Sequence, residues 1–399
     1  MSAAPDAMVR RRHVLFFGGF DPKGASWYHA LYARHAGLQS AVNGMDIRVA
    51  PRRREDGTRQ CWDVEAREQG DGSCHSTLEV IGWDAIVRAH WPRNASGVLL
   101  QSLRAYAGML RHGRGELLKV ARIAPRTLFA LAYPLLFFVG GSAFVLAAAA
   151  LLGWALALLA GQWSGVAAAA LLFLAGMHAL LRLERRLDTS LLARIFAFVG
   201  RYAVEGIPEL DELLDRAAGR IRELLAAEDC DEVLVVGYSV GSILATRAVG
   251  RALAADTPRP GDTPRLALLT LGNCIPLLGL YPHAAAYREE LARIGQSDRL
   301  VWVDVSSPTD WGSFPLLDPL AVCEIEVPRR GTGYPRPTSP RFHTLFSGER
   351  YRAMVGDKHT MHTLYLMSTE KPGRYDWFAI TAGCQPLAVR YAGSKGPPA

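Results

Sequence analysis

One serine stands in a sequence context that is typical of a nucleophile. Ser239 is the centre of Gly237-Tyr-Ser-Val-Gly241, a G-x-S-x-G pattern. A serine hydroxyl attacks a carbonyl efficiently only when a base removes its proton and an acid orients that base. The two glycines allow a tight turn around the serine without a Cβ clash. The pattern therefore indicates nucleophilic chemistry if a strand precedes it and a helix follows it.

The residues on both sides of the motif meet that condition. Val233 to Val236 is an apolar run that is β-branched at three of its four positions, which is typical of a strand buried in a parallel sheet. Ser242 to Leu253 has the composition of a helix. Strand, G-x-S-x-G and helix together resemble the nucleophile elbow of the α/β-hydrolase superfamily, the lipases and esterases in particular. The alternative is an ordinary strand-to-helix turn in another α/β protein.

The resemblance implies that the acid follows the serine, in the loop after a late strand. Arg299 to Val305 is predicted to be such a strand, and Asp310 lies in the loop that follows it. Asp310 is therefore the preferred acid. Asp304 within the strand and Asp318 farther along the loop remain alternatives, and an ordinary capping carboxylate is the competing role for Asp310.

The resemblance also implies a histidine base after the acid. Met361 to Leu366 resembles the C-terminal histidine segment of lipase-like bacterial membrane proteins, so His362 is the preferred base and His359 the alternate. His343 is a further candidate, whereas His283 precedes the acid and fits poorly. The H-x-x-H pair could bind a metal, but no third ligand is obviously placed, and neither a metal nor a cofactor is expected.

A glycine-rich turn follows an early apolar strand. His13 to Phe17 reads as the strand, and residues 18–24 form the turn before a helix that begins at Ala25. Phosphate binding is disfavoured because neither G-K-[ST] nor G-x-G-x-x-G is present. The resemblance instead implies an oxyanion loop, in which the N–H of Phe20 (or of Gly19) acts together with the N–H of Val240.

Further strands and helices are predicted on both sides of the chain's centre. Three strands are expected at Met45–Arg53, Arg59–Glu68 and His75–Ile81. The D-G pairs Asp56-Gly57 and Asp71-Gly72 are the turns between them, so these strands are predicted to form an antiparallel extension of the sheet. The C-terminal half is expected to contain helical residues 188–227 with a break at 206–208, a strand at Arg265–Leu271, a helix at Pro282–Ile294, and an extended loop at Pro328–Pro340 that could cover a pocket.

The centre of the chain is apolar over a long distance. Thr127 to Leu181 contains no Asp, Glu, Lys or Arg, and it is too long for one membrane span of about 20 residues. A break at Gly161–Gly165 predicts a hairpin of two membrane helices, at 129–159 and 165–182. A buried pair of helices in a soluble protein is the alternative, which so long an uncharged segment disfavours.

The hairpin is flanked by basic residues, which predicts its orientation. Arginine and lysine are frequent on both sides of it, including in a predicted amphipathic helix at Gly97–Leu118, whereas the turn between the spans carries no charge. The positive-inside rule places both flanks in the cytoplasm. Contact with anionic lipid and a location in a bacterial inner membrane are therefore expected.

Composition and charge bear on the binding partners and the cellular compartment of the protein. The chain has 399 residues and a formal charge of +7, but it carries no recognisable nucleic-acid motif. Its six cysteines are scattered singly without C-x-x-C, which favours a reducing, cytosol-facing compartment. Neither the oligomeric state nor the particular ester follows from these features.

These observations predict an α/β fold with a mostly parallel sheet of the α/β-hydrolase type, interrupted by a transmembrane hairpin. The expected parts are 13–126, the hairpin 127–183, and 184–392 with the elbow. The expected function is a membrane-anchored serine hydrolase acting on a lipid or acyl ester. A catalytically silent membrane scaffold that binds a partner is the alternative, and a small transporter or channel subunit fits less well because the spans lack internal acids and bases.

Overall fold

A computed structural model shows two compact units in this chain. The α/β unit comprises Met1–His90 and Tyr202–Ala399, and the hairpin unit comprises Trp91–Arg201. The structure describes residues 8–55, 59–68, 72–91, 97, 100, 103–104, 106–108, 111, 122, 125–187, 189–227, 229–255, 266–328 and 332–393. The predicted turn at 56–57, Asp71 of the second turn and most of the predicted helix at 97–118 lie outside the described residues.

The strands of the α/β unit form one mixed sheet. The nine strands within the described ranges are β1 Arg11–Phe17, β2 Asp46–Val49, β3 Arg53–Glu55, β4 Arg59–Arg67, β5 Ser73–Val80, β6 Glu232–Tyr238, β7 Leu266–Leu271, β8 Leu300–Val305 and β9 Arg336–Thr338. Their order is β2-β4-β5-β1-β6-β7-β8-β9, with β3 also paired to β4. Strands β5, β1 and β6 to β9 are parallel, and β2 to β5 pair antiparallel to one another through β4. The predicted α/β class with a mostly parallel sheet and an antiparallel extension is confirmed.

The centre of this sheet is fully buried. Every residue of β6, β7 and β8 is buried, which explains why their sequences are continuous apolar runs rather than alternating patterns. Strand β1 lies between β5 and β6, and the later strands β7 to β9 continue outward from β6. The strands that follow β1 in the sequence, β2 to β5, lie on one side of the β1–β6 pair, and the strands that follow β6 lie on the other side. The strand order therefore reverses at this pair, which is the topological switch point of the sheet.

Helices flank the sheet and form the hairpin unit. They are α1 Ala25–Asn43, α2 Asp84–Ala89, α3 Pro125–Leu135, α4 Gly141–Ala160, α5 Gln162–Leu187, α6 Thr189–Glu205, α7 Pro208–Ala226, α8 Gly241–Ala254, α9 Ile275–Gly279, α10 Ala285–Gln296, α11 Pro319–Val322, α12 Phe342–Leu345, α13 Gly348–Val355, α14 Lys358–Thr363, α15 Trp377–Ala382 and α16 Leu387–Arg390. A 3-10 turn, Leu364–Leu366, follows α14 directly. The predicted break at 206–208 is confirmed between α6 and α7.

Two sequence predictions about β structure were wrong in part, and proline is involved in both. The strand predicted at Met45–Arg53 is two short strands, β2 and β3, with Pro51 between them. The segment predicted as an extended loop at Pro328–Pro340 contains β9, which pairs in parallel with β8. Proline cannot donate a ladder hydrogen bond, but an edge strand such as β9 tolerates Pro337.

The hairpin unit contains two helices that are long and apolar enough to cross a membrane. The first, Ala132–Ala160, comprises the end of α3, a π-helical turn at Leu136–Gly140 and α4, and the second, Gln162–Glu184, lies within α5. At about 1.5 Å per residue, either exceeds the hydrocarbon thickness of about 30 Å. Small residues let the two helices pack closely: a Cβ at Gly153 would lie 2.6 Å from the Ala169 Cβ. Large apolar side chains point outward instead, as at Leu159, which is 86% exposed. The second helix begins before the predicted residue 165.

Candidate active site

The polar residues selected from the sequence lie at the carboxyl ends of neighbouring parallel strands. Ser239 directly follows β6, residues 18–24 follow β1, and Asp310 lies in the loop after β8. In open α/β sheets, ligands bind outside the carboxyl ends of the strands, next to the switch point. The β1–β6 pair is that point here, so this edge of the sheet is the first place to look for a functional site.

Ser239 has an unusual backbone conformation. Its φ is +58°, in the left-handed region that residues other than glycine rarely adopt. Hydrogen bonds hold it there: its N–H donates to the Leu271 carbonyl at 2.9 Å, and its carbonyl accepts from the Ser242 N–H at 3.0 Å and hydroxyl at 2.6 Å. Such well-supported strain is concentrated at functional sites. Ser239 is thus held at a sharp bend between β6 and α8.

Both motif glycines are required by close packing. A Cβ at Gly241 would lie 2.1 Å from the Phe17 carbonyl oxygen, and a Cβ at Gly237 would lie 2.5 Å from the Ser242 Cα. Neither space admits a side chain without a backbone shift. Gly241 therefore lets the start of α8 approach the end of β1, and Gly237 lets the chain turn back sharply from β6 into α8.

The loop after β1 lies against the serine. A Cβ at Gly19 would be 3.3 Å from the Ser239 Cβ. The Gly19 N–H donates to the Tyr28 hydroxyl at 3.1 Å, and the Trp83 indole N–H donates to the Gly18 carbonyl at 3.1 Å. Phe20, the next residue, is buried. The loop predicted from the glycine-rich sequence is therefore anchored beside Ser239, and its Gly19 N–H already has an acceptor.

The N-terminus of α8 also meets the serine. Val240 is the N-cap residue, and no side chain in the described residues caps this helix. The first N–H groups of a helix have no acceptor within it, and they carry the positive end of the helix dipole. The Ser242 and Ile243 N–H groups donate to the Ser239 and Val240 carbonyls, so the N–H groups of Val240 and Gly241 are the candidates for stabilising the oxygen of a carbonyl that Ser239 attacks.

His362 and Asp310 form a close pair. The His362 Nδ1 lies 2.9 Å from each carboxylate oxygen of Asp310. The carboxylate also accepts from the Tyr365 hydroxyl at 3.1 Å and from the Gly312 N–H at 3.0 Å. Asp310 is 2% exposed, so these bonds replace its hydration. Because Nδ1 faces the carboxylate, Nε2 is the ring nitrogen left to exchange a proton with another group.

The two members of this pair change each other's pKa. Burial alone would lower the pKa of His362, but the charge of Asp310 and the hydrogen bond to it raise the pKa above its ordinary value. Burial alone would raise the pKa of Asp310, but the charge of His362 and the hydrogen bonds to the carboxylate lower it. Both directions favour an ionised Asp310 and a histidine that is a stronger base than usual.

Several contacts place this pair near Ser239. The ring of Tyr238, the residue before Ser239, lies 5.1 Å from the imidazole of His362 between centroids. The loop after β7 contacts both sides of the site: a Cβ at Gly272 would lie 3.3 Å from the His362 Cε1, and the Ser239 hydroxyl lies 4.0 Å from the Cys274 Sγ. Among the described residues, the Ser239 hydroxyl makes no hydrogen bond to His362. Hydrogen bonds between nucleophile and base are often long or poorly aligned until a substrate is bound.

The alternative residues take other roles. The His359 side chain is exposed, and its backbone N–H donates to Asp357, which caps α14. Asp304 bonds to Thr270, Asn273 and Ser306 rather than to a histidine. The remaining candidates are also placed elsewhere: Asp318 caps α11, and His343 packs its ring against Tyr351. Of the two histidines of the H-x-x-H pair, the structure brings His362 to Asp310.

Three site residues were missed by reasoning from the sequence. Cys274 lies beside the Ser239 hydroxyl, Tyr365 donates to Asp310, and Tyr238 donates through its hydroxyl to the His362 carbonyl at 3.1 Å. One signal could have found Cys274, because it closely follows β7, the strand next to β6. The tyrosines are long-range contacts that no local pattern indicates.

The arrangement has the parts required for acyl transfer: a strained serine, a carboxylate-bound imidazole and backbone N–H donors. Within the described residues, no group of three His, Cys, Asp or Glu side chains could hold a metal ion. The chain matches no protein-family model, and it also matches no curated protein and no solved structure. The site geometry must therefore carry any functional assignment.

Proposed function

We propose that this protein is a membrane-anchored serine hydrolase of the α/β-hydrolase type, which cleaves a carboxylic or lipid ester through an acyl-enzyme. One observation carries the proposal: an imidazole bonded through Nδ1 to a buried carboxylate at 2.9 Å packs against Tyr238, the residue that precedes a serine in a strained strand-to-helix turn. The G-x-S-x-G motif and the position at the switch point support it.

In the proposed mechanism, the Ser239 hydroxyl attacks the ester carbonyl while His362 Nε2 takes its proton. Asp310 holds the imidazole in the required tautomer and stabilises the imidazolium that forms. The N–H groups of Val240 and Phe20 stabilise the negative oxygen of the tetrahedral intermediate. Gly19 is the alternate to Phe20, and its N–H donates to the Tyr28 hydroxyl at 3.1 Å.

The intermediate collapses when His362 donates its proton to the leaving alcohol, which leaves an acyl ester on Ser239. Water then attacks this ester and transfers a proton to His362. Collapse of the second intermediate releases the carboxylic acid, and the proton returns to the Ser239 oxygen. No cofactor or metal takes part in this sequence.

The membrane assignment rests on the two apolar helices. We propose that they form a hairpin in a bacterial inner membrane, with both termini and the α/β unit in the cytoplasm. Basic residues on both sides of the hairpin would contact anionic lipid. A lipid or acyl ester is the substrate class that suits an enzyme held at a membrane.

The proposal is tested by labelling the full-length, detergent-solubilised protein with a fluorophosphonate probe, which reacts only with activated serines. We expect Ser239→Ala to abolish labelling and His362→Ala to slow it by about a hundredfold or more, because the base is lost. His359→Ala is the matched control, since it removes an exposed imidazole from the same helix, and it should label at the normal rate.

Two results would contradict the proposal. If the folded wild-type protein does not react with the probe, the membrane scaffold becomes the better interpretation. If His362→Ala and His359→Ala label alike, His362 is not the base. Circular dichroism of each variant establishes that a loss of labelling is not a loss of folding.

A further inference from the structure

One side chain joins the strand that carries Ser239 to the segment that carries His362. Tyr238 is the last residue of β6, immediately before Ser239, and it is buried. Its hydroxyl donates to the backbone carbonyl of His362 at 3.1 Å. Its ring lies 5.1 Å from the imidazole between centroids, with 33° between the two planes. Tyr238 thus contacts both the backbone and the ring of His362.

The His362 side chain lies in a short segment and is 21% exposed, so packing from its own segment does not hold the ring by itself. Helix α14 has six residues and is followed at once by a 3-10 turn. The nearby side chains of Met361 and Leu364 are buried in the core and anchor the backbone, but they do not cover the imidazole completely. The hydrogen bond from Nδ1 to Asp310 fixes one edge of the imidazole, but small changes in the two side-chain torsions of His362 can still tilt the ring. A second contact on the ring face and the backbone removes this freedom.

We infer that Tyr238 is a positioning residue, which holds the His362 imidazole in the orientation that proton transfer from Ser239 requires. The inference rests on the proposed function. A general base must lie within about 2.6–3.2 Å of the proton-bearing atom, and small displacements reduce rates strongly. Because Tyr238 is the last residue of β6 and Ser239 follows it directly, the tyrosine sets the position of the base relative to the nucleophile.

The role is distinct from that of Tyr365. The Tyr365 hydroxyl donates to Asp310 at 3.1 Å and accepts the Ser307 N–H at 2.8 Å, so it orders the acid and its loop. Burial raises the pKa of Tyr238, which keeps its hydroxyl protonated and available as a donor. Two tyrosines therefore support the pair from different sides, one at the carboxylate and one at the imidazole.

The test uses the fluorophosphonate probe and separates its maximal inactivation rate, kinact, from its binding constant, KI. Tyr238→Phe removes the hydroxyl bond and keeps the ring, whereas Tyr238→Leu removes both. Since one hydrogen bond is worth about 1 kcal/mol and 1.4 kcal/mol is a factor of ten, kinact should fall about fivefold in Tyr238→Phe. The fall should be larger in Tyr238→Leu, and KI should be unchanged in both.

Tyr287→Phe is the matched control. Tyr287 is also buried, and its hydroxyl bonds to the Thr246 hydroxyl at 2.9 Å. This variant should lower the midpoint of thermal unfolding about as much as Tyr238→Phe does, and it should leave kinact unchanged. A reactive wild-type protein with equal kinact in Tyr238→Phe and Tyr287→Phe would overturn the inference alone. An unreactive wild-type protein would remove the proposed function as well.

Discussion

Asp304 on β8 and Asp310 in the loop after it are buried to the same extent, but their pKa values are shifted in opposite directions. Asp304 is 0% exposed and Asp310 is 2% exposed, and each accepts at least three hydrogen bonds. Burial raises the pKa of Asp304 to about 7 despite these bonds. Burial also raises the pKa of Asp310, but the charge of His362 together with the hydrogen bonds from His362, Gly312 and Tyr365 lowers it below its ordinary value. Since both aspartates are buried and hydrogen-bonded, the neighbouring charge of His362 is the difference that gives the two pKa shifts opposite signs.

The same difference separates their roles. Asp310 remains ionised and can therefore stabilise an imidazolium, which the proposed mechanism requires. Asp304 accepts from Thr270 on β7 and from Asn273 in the loop after it, at 2.5 and 2.9 Å. It also accepts from Ser306, whose hydroxyl in turn accepts the Leu316 N–H. Asp304 therefore ties together the two loops that carry Cys274 and Asp310.

Neutralising Asp310 is expected to reduce reactivity more than any other change at these two aspartates. Asp310→Asn keeps the shape and removes the charge, so the imidazole loses its preferred tautomer and its imidazolium loses a counter-ion. We expect kinact for the fluorophosphonate to fall by about a thousandfold or more. The pH at which reactivity is half-maximal should also move down, because the charge of Asp310 raises the pKa of His362.

Asp304→Asn provides the control for this measurement, since it is the same substitution at the other buried carboxyl group. It should leave kinact near the wild-type value. Equal losses in Asp310→Asn and Asp304→Asn would show that the two carboxyl groups are not functionally distinct, and the assignment of Asp310 as the orienting acid would be wrong.

The sequence was sufficient to predict the elements around Ser239 because their signals are local. The apolar run, the two glycines and the helix are consecutive, and the structure has β6, a left-handed Ser239 and α8 in that order. The hairpin was predictable for the same reason, since an uncharged stretch of that length is visible without any tertiary information.

The choice between Asp304 and Asp310 could not be decided from the residues alone. Strand β8 is apolar on both sides, so it has no alternating pattern to show which way Asp304 points. Its direction follows from the register, which sets Asp304 opposite Thr270 on β7. The contact of Tyr238 with His362 joins residues 124 positions apart, and no sequence pattern indicates such a contact.

A second substitution at Asp304 measures how much the hydrogen bonds to its carboxyl group contribute to the free energy of unfolding. Asp304→Leu fills the space with an apolar side chain and leaves Thr270, Asn273 and Ser306 without their shared acceptor. Because each unsatisfied buried group costs about 1–3 kcal/mol, we expect the free energy of unfolding to fall by about 3 kcal/mol. Denaturant unfolding in detergent, followed by tryptophan fluorescence, measures it. A loss no larger than that of Asp304→Asn, which keeps an acceptor oxygen, would contradict this account.

The smallest expected effect is a dependence of the free energy of unfolding on pH. The folded pKa of Asp304, about 7, lies above the ordinary aspartate value, so the folded protein keeps a proton that the unfolded chain has released. The stability from this group is therefore complete below the unfolded pKa of about 4, and it is lost as pH rises through 7. The slope approaches about 1.4 kcal/mol per pH unit within that window.

Asp304→Asn has no such proton, so the wild-type protein should lose stability relative to this variant between pH 5 and about 7. His362 and Asp310 are present in both proteins, and their own pH dependence cancels in the difference. Parallel stability curves would mean that Asp304 is ionised throughout, like Asp310, and that neutral donors alone suffice to hold a buried carboxylate here.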